Sequence, residues 1–221
     1  MALAIHKCRK PTIVAMQGSA VGVGMTMTLP AAIRYHFPPQ SITHESCDSK
    51  TNDTRIAHET SKYGFVFARR GITMESCSSY FLPRLVGLAR AMYLVSTGGV
   101  FPPNSRHFGP LFAETLPDPA RVLPRALELA TEMAETVSPM ASALNRGLMW
   151  RGPESPEEAH LLESGVLYHM FRGKDQTEGV KAFFEKRKPD FKAVLESDGP
   201  ARYPWWSEVD IDPKAKANSK L

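Results

Sequence analysis

Three glycines, Gly18, Gly22 and Gly24, crowd the stretch Gly18-Ser19-Ala20-Val21-Gly22-Val23-Gly24, directly behind an apolar run. Glycines at this density let a backbone come close enough to a ligand oxygen to offer it N–H groups, or let a strand pass tightly into a helix. The residues alone leave both open. Glu75 precedes Ser76-Cys77-Ser78-Ser79. A carboxylate there is either an acid at the positive end of a helix or a group that takes a proton from one carbon and returns it to another. Taken alone, the pattern favours the first. Cys8, Cys47 and Cys77 are odd in number, widely spaced and without a Cys-x-x-Cys pair, which indicates neither a disulfide framework nor a zinc site. Nothing near Cys77 in sequence suggests an activated thiolate, so it reads as a small buried residue. The histidines show no metal-ligand spacing, and no metal is expected.

The elements that would position these residues are short. Thr12 to Met16 is an apolar, β-rich run between Pro11 and Gly18 and reads as a buried strand. A helix is expected in the apolar run Met25 to Ile33. Tyr35 to Thr54 has no apolar period and reads as loop. Tyr63 to Phe67 is a second strand candidate. From Ser76 to Val95 the spacing predicts short helices, with breaks at Pro83 and Gly87. Leu123, Leu127, Ala130 and Ala134 fall on one face of a helix behind Pro119. Ser138-Pro139 and Ser155-Pro156 each read as an N-cap followed by proline, with Glu157 and Glu158 suiting the second helix's positive end. A last helix is expected from Thr177 to Arg187, stopped by Pro189.

At 221 residues and 43% hydrophobic composition, the chain fits one globular domain. No apolar run approaches the roughly 18 to 20 residues of a membrane span, and the first ten residues do not form a secretory signal. The net charge of +4 gathers late, from Lys181 to Lys220, without aromatic interleaving. A solvated surface is the first reading, a small ligand's phosphate the second, and a nucleic-acid partner is not expected. The chain ends Ser219-Lys220-Leu221, the peroxisomal signal, behind a polar tail that a peroxisomal import receptor could reach. The expected location is therefore the peroxisome.

Lys10-Pro11-Thr12-Ile13-Val14-Ala15-Met16-Gln17-Gly18 through Gly24 resembles the segment of the crotonase (enoyl-CoA hydratase/isomerase) family in which a strand runs into an oxyanion-binding helix start. Gly64-Phe65-Val66-Phe67-Ala68-Arg69-Arg70-Gly71-Ile72 and Glu75 to Gly87 are similar to the second active-site segment, in the same order. Glu178-Gly179 and Ala182 to Pro189 extend the resemblance to the family's C-terminal helix. Val21-Gly22-Val23-Gly24, Phe67-Ala68-Arg69-Arg70-Gly71, Tyr203-Pro204-Trp205-Trp206 and the terminal Ser219-Lys220-Leu221 together add a similarity to fungal enzymes that make the decatrienoic acid part of host-selective toxins.

The resemblance implies an α/β fold, a spiral of β-β-α units with a C-terminal helical region, usually assembled in trimers. The expected division is a partial crotonase-like domain over 1–188, with an atypical insertion at 35–55, and an extension carrying the signal over 189–221. The implied chemistry acts on acyl-CoA thioesters with no dissociable cofactor, since CoA is part of the substrate. Charge developing on the thioester oxygen is met by backbone donors. By position the donor is the Val23 N–H, flanked by Gly22 and Gly24. Glu75 matches the single glutamate of the family's isomerases, although Met74 stands where they have proline. Thr26 and Phe67 occupy the positions where hydratases place two glutamates, which argues for isomerase over hydratase logic. Such a glutamate works best where apolar surroundings raise its pKa. Phe183 and Lys186 match positions that contact the CoA adenine and phosphate region, and they are expected on one helix face.

In the family the glycine segment follows about a hundred residues that carry the other oxyanion donor and several strands. This chain begins ten residues before it, so missing N-terminal strands are expected, and with them either reduced activity or a non-catalytic role in a homo- or hetero-oligomer. The flanking Arg34 and Arg55 fit translation of the 35–55 segment through a retained short intron, with a genuine surface loop as the alternative.

Overall fold

The computed structural model describes residues 1–31 and 55–211. The expected insertion up to Thr54, and Ser219-Lys220-Leu221, lie outside the described residues. Arg55 is the first residue of a strand.

Strands come in pairs, each followed by helix. After a short leading helix, α1 (Ala2–Lys7), β1 (Val14–Met16) and β2 (Ala20–Val21) lead into α2 (Val23–Thr26). β3 (Arg55–His58) and β4 (Tyr63–Gly64) lead into α3 (Ser78–Val86) and α4 (Leu88–Thr97). In these two pairs the first strand enters one sheet and the second enters another, and the last two strands take the sheets in the reverse order. One sheet runs β1-β3-β6, where β6 is Glu114–Leu116, all parallel, with Ala15 opposite Ile56 and Ile56 opposite Glu114. The other runs β2-β4-β5, where β5 is Val100–Phe101, with Ala20 opposite Tyr63. Repetition of β-β-α while stepping along two sheets produces the α/β spiral that the resemblance implied.

The two sheets meet over one apolar core. Met25, Leu29, Tyr63, Phe65, Phe81, Leu82, Leu94 and Phe108 are buried there, and Phe67 is 5% exposed. Tyr63 ties the layers by donating its hydroxyl to the Met16 carbonyl at 3.2 Å. β4 ends at Gly64 and not at Phe67, and at Gly64 the chain passes closely against β5. A side chain on Gly64 would begin 2.6 Å from the Gly99 carbonyl oxygen.

Several expected elements shift. The helix expected over Met25 to Ile33 is divided into α2 and a 3-10 turn at Leu29–Ala31. Gly87, at φ 83°, separates α3 from α4 as expected, but Pro83 lies inside α3, which tolerates the loss of one backbone donor.

The helical region begins with α5 (Pro119–Thr136), capped by the Asp118 carboxylate, which accepts from the Ala120 N–H at 2.9 Å. Its buried stripe is Val122, Ala126 and Leu129, of which Val122 and Ala126 pack with Ile56 on the parallel sheet. The expected stripe of Leu123, Leu127, Ala130 and Ala134 is instead exposed. Both stripes satisfy the helical period, and the sheet's position selects the one a residue earlier. The outer stripe, with Lys10, Pro11, Ile13 and Ala15, lines an open groove of about 540 Å³.

α6 (Pro139–Arg151) and α7 (Pro156–Met170) start at their expected caps, with Ser138 accepting from Ala141 N–H at 3.1 Å and Ser155 from Glu158 N–H at 3.3 Å. α8 (Lys174–Phe184) starts and stops earlier than expected. Asp175, 3% exposed, accepts from the Ser138 hydroxyl at 2.6 Å and from the Lys192 and Ala193 N–H groups at 2.9 and 2.8 Å. That carboxylate fastens the following chain. Ala193, Leu195 at the start of α9 (Leu195–Asp198), Tyr203 and Trp205 then pack on Met140, Leu144 and Val166. Among the described residues no helix is long and apolar enough to cross a membrane.

Candidate active site

The site starts at the end of β2. Gly22 adopts φ 55°, ψ −125°, a combination that essentially only glycine sustains. Its N–H donates to the Gly64 carbonyl at 3.1 Å, continuing the pairing with β4, while its own carbonyl accepts from Met25 and Thr26 at 2.9 and 3.0 Å. The turn therefore begins α2 with the Val23 and Gly24 N–H groups ahead of any intrahelical acceptor. Gly24 lies against Ala20, where an added side-chain carbon would approach the alanine methyl at 3.4 Å. Phe67 stands beside this turn, with a ring carbon 3.8 Å from where a Gly22 side chain would begin. A position that could hold an acid thus presents an apolar face next to the backbone donors.

Glu75 reaches the same turn from the other side. Its Oε1 accepts the hydroxyl of Thr26, the last residue of α2, and its Oε2 accepts the hydroxyl of Ser76. Thr26 is fully buried. The corner that aims Glu75 is strained: Ser76 and Cys77 follow with φ of 54° and 57°. Left-handed backbone costs about 1–2 kcal/mol per non-glycine residue, and such outliers persist where surrounding structure over-determines them. Here Ser78 does so. Its N–H donates to the Glu75 carbonyl at 3.0 Å and its buried hydroxyl donates to the same oxygen at 2.6 Å.

Glu75 is solvent-exposed in this chain, not enclosed by apolar side chains as the sequence suggested. Cys77 is exposed as well, contrary to its reading as a buried residue. The left-handed turn swings it outward, while Ser78 takes the inside position.

Phe183 and Lys186 do not join this constellation. Phe183 is 79% exposed, and α8 ends at Phe184, so Lys186 lies beyond the helix at φ 52° and does not share its face. Neither makes a hydrogen bond, ion pair or ring contact with Glu75 or the glycine turn among the described residues. Thr26 is the residue that sequence reasoning undervalued. It was marked only as a missing acid, whereas its spacing of three from Val23 puts it one helical turn below the donor.

Fixed backbone donors beside an apolar ring, and a hydroxyl-held carboxylate across from them, form a site for proton transfer next to an oxygen that gathers negative charge. Comparison with known proteins gives the family. The family model for enoyl-CoA hydratase/isomerase matches residues 49–194. A probable enoyl-CoA hydratase/isomerase from Mycobacterium abscessus superposes with a TM-score of 0.71 at 28% identity, covering 86% of this chain and 68% of that one. The chain belongs to the enoyl-CoA hydratase/isomerase family. Among individual relatives it is 46% identical over 195 residues to the enoyl-CoA hydratase AFT3-1 of Alternaria alternata, across 88% of this chain and 59% of that protein. The enoyl-CoA hydratase ACTT3 of the same organism gives the same identity and coverage. A probable enoyl-CoA hydratase of Bacillus subtilis is 30% identical over 85% of this chain and 65% of its own length. The chain thus spans less than two thirds of these relatives.

Proposed function

We propose that the chain moves a double bond in unsaturated acyl-CoA thioesters, with Glu75 as the proton carrier. The carrying observation is the carboxylate held by Thr26 and Ser76 at the Val23 turn, with Phe67 in place of a second acid. Glu75 takes a proton from the α carbon, and the electron pair of that C–H bond passes into the thioester, whose oxygen gains the charge. The Val23 N–H stabilises that oxygen. Return of the proton from Glu75 to the γ carbon draws the electrons back and leaves the double bond conjugated with the carbonyl. Hydration needs a group to activate water as well as one to protonate carbon, and neither Thr26 nor Phe67 carries a carboxylate.

The terminal Ser219-Lys220-Leu221 supports action in the peroxisome after delivery by its import receptor. The likeness to the Alternaria proteins, with the Tyr203 to Trp206 motif, supports a place in polyunsaturated acyl-chain or toxin metabolism. The open groove beside β1 favours a second reading, a non-catalytic subunit in a mixed trimer with a longer relative.

The test is turnover of 3-enoyl-CoA by the purified 221-residue chain, followed by the absorbance of the conjugated product. Glu75→Gln is expected to lower kcat by about a hundredfold or more. Turnover unchanged in that variant, or a 3-hydroxyacyl product in place of the 2-enoyl one, overturns the isomerase reading. Activity that appears only on adding a longer relative establishes the second.

A further inference from the structure

A carboxylate that carries a proton between two carbons spends part of each cycle charged and part neutral. Its neighbours must satisfy both forms without moving, because rearrangement of a packed site would slow each transfer. Ionised, it needs donors; protonated, it needs somewhere to donate. A hydroxyl serves both, provided that its own proton has a second acceptor.

Thr26 has one. Its Oγ1 contacts Glu75 Oε1 and also lies 3.4 Å from the Val23 carbonyl oxygen on its own helix. One hydroxyl proton cannot be given to both at once. We infer that Thr26 is the positioning residue for Glu75, switching its hydroxyl proton between the ionised carboxylate and the Val23 carbonyl as Glu75 loses and gains its proton. With Glu75 ionised, Thr26 donates to it. With Glu75 protonated, the carboxyl O–H donates to Thr26 Oγ1, and the Thr26 proton turns to Val23. Only hydrogens move. This rests on Glu75 being the proton carrier.

Burial supports the assignment. Thr26 is fully buried, so no solvent competes for its hydroxyl, whereas Ser76 on the other carboxylate oxygen is half-buried. The titratable and charged groups on the adjoining elements are Cys77 on the corner, Tyr80 and Arg84 on α3, and Arg69 and Arg70 on the turn after Phe67. Arg84 donates to the Tyr80 carbonyl at 3.1 Å and Arg69 to the Thr97 carbonyl at 2.8 Å. Among the described residues none of these forms an ion pair with Glu75, whose side-chain donors are the hydroxyls of Thr26 and Ser76.

The experiment is titration of Glu75 by carbon-13 NMR of glutamate side-chain carboxyls, with the signal assigned by its loss in Glu75→Gln. It compares wild type, Thr26→Val, which keeps the shape and removes the hydroxyl, and Thr26→Ser, which keeps the hydroxyl. Loss of one hydrogen bond to the charged form is expected to displace the Glu75 titration in the valine variant and, with it, the acid limb of the kcat/KM profile, read as about a tenfold loss of activity below that limb, while Thr26→Ser retains the wild-type profile. An unmoved Glu75 titration in Thr26→Val, or an equal shift in Thr26→Ser, overturns the inference. Should the valine variant fail to fold, Thr26→Ala is read by the same titration. An inactive wild-type chain refutes the proposed function, and the NMR titration still decides the role of Thr26.

Discussion

The guanidinium of Arg55 donates to the Leu29 carbonyl at 2.7 Å, and also to the Thr28 and Leu111 carbonyls at 3.2 and 2.9 Å. The first residue of β3 thereby holds the turn that ends the glycine segment, and with it α2. Arg55 is 2% exposed, so its removal strands several buried carbonyls. Arg55→Met is expected to cost at least about 2 kcal/mol, read as a lower urea midpoint at unchanged slope.

Gly22→Ala separates conformation from crowding. Phe67 leaves ordinary contact distance for the new methyl, so the penalty comes from φ 55°, ψ −125°. We expect about 1–3 kcal/mol of lost stability. Turnover of an enoyl-CoA should fall further than the fraction folded, because the Val23 donor is re-aimed. Thermal unfolding and activity on one sample check both.

Acid sensitivity is expected from His6. It sits edge-on to Phe81 and Trp150, with centroid distances of 5.2 and 5.8 Å. Burial first, then the charges of Arg151 and Arg146, lower its pKa from 6.5 to about 4. Between those values the unfolded chain binds the proton more readily, so stability falls as pH drops from 6.5 toward 4 and this contribution levels off below. The melting temperature of His6→Phe, compared with wild type across that window, should show a shallower slope.

Asp175→Asn exchanges one accepting oxygen for a donor amide amid the Ser138 hydroxyl and the Lys192 and Ala193 N–H groups. About 1–3 kcal/mol is expected to be lost. The loss should be local first. Hydrogen exchange at Lys192 and Ala193 should accelerate more than at β3.

Local signals in the sequence proved the most legible. Ser138 and Ser155 act as caps, and Gly87 divides two helices, because each depends on chemistry within a few residues. The β-β-α order and the pairing of the glycine turn with Glu75 followed from the resemblance. What bonds across distance was not legible. Thr26 and Glu75 are 49 positions apart, and nothing local marks a threonine as a carboxylate partner. Ser76 and Cys77 carry no left-handed preference, so only tertiary restraint reveals that corner. Arg55 resembled the flank of an insertion because the Thr28, Leu29 and Leu111 carbonyls that it bonds lie far from it in sequence. On α5 two apolar stripes compete, and the sheet, absent from any helical period, chooses between them.

Pro11 and Lys10 stand at the entrance to β1, beside the groove lined by Ile13 and the outer stripe of α5. Among the described residues β1 pairs only with β3, so its far side offers free backbone donors and acceptors to any extended peptide that arrives. A proline without an N–H and a charged lysine are poor templates for such a visitor. The rim of β1 is thus guarded, in terms of self-association, by the two residues that lead into it.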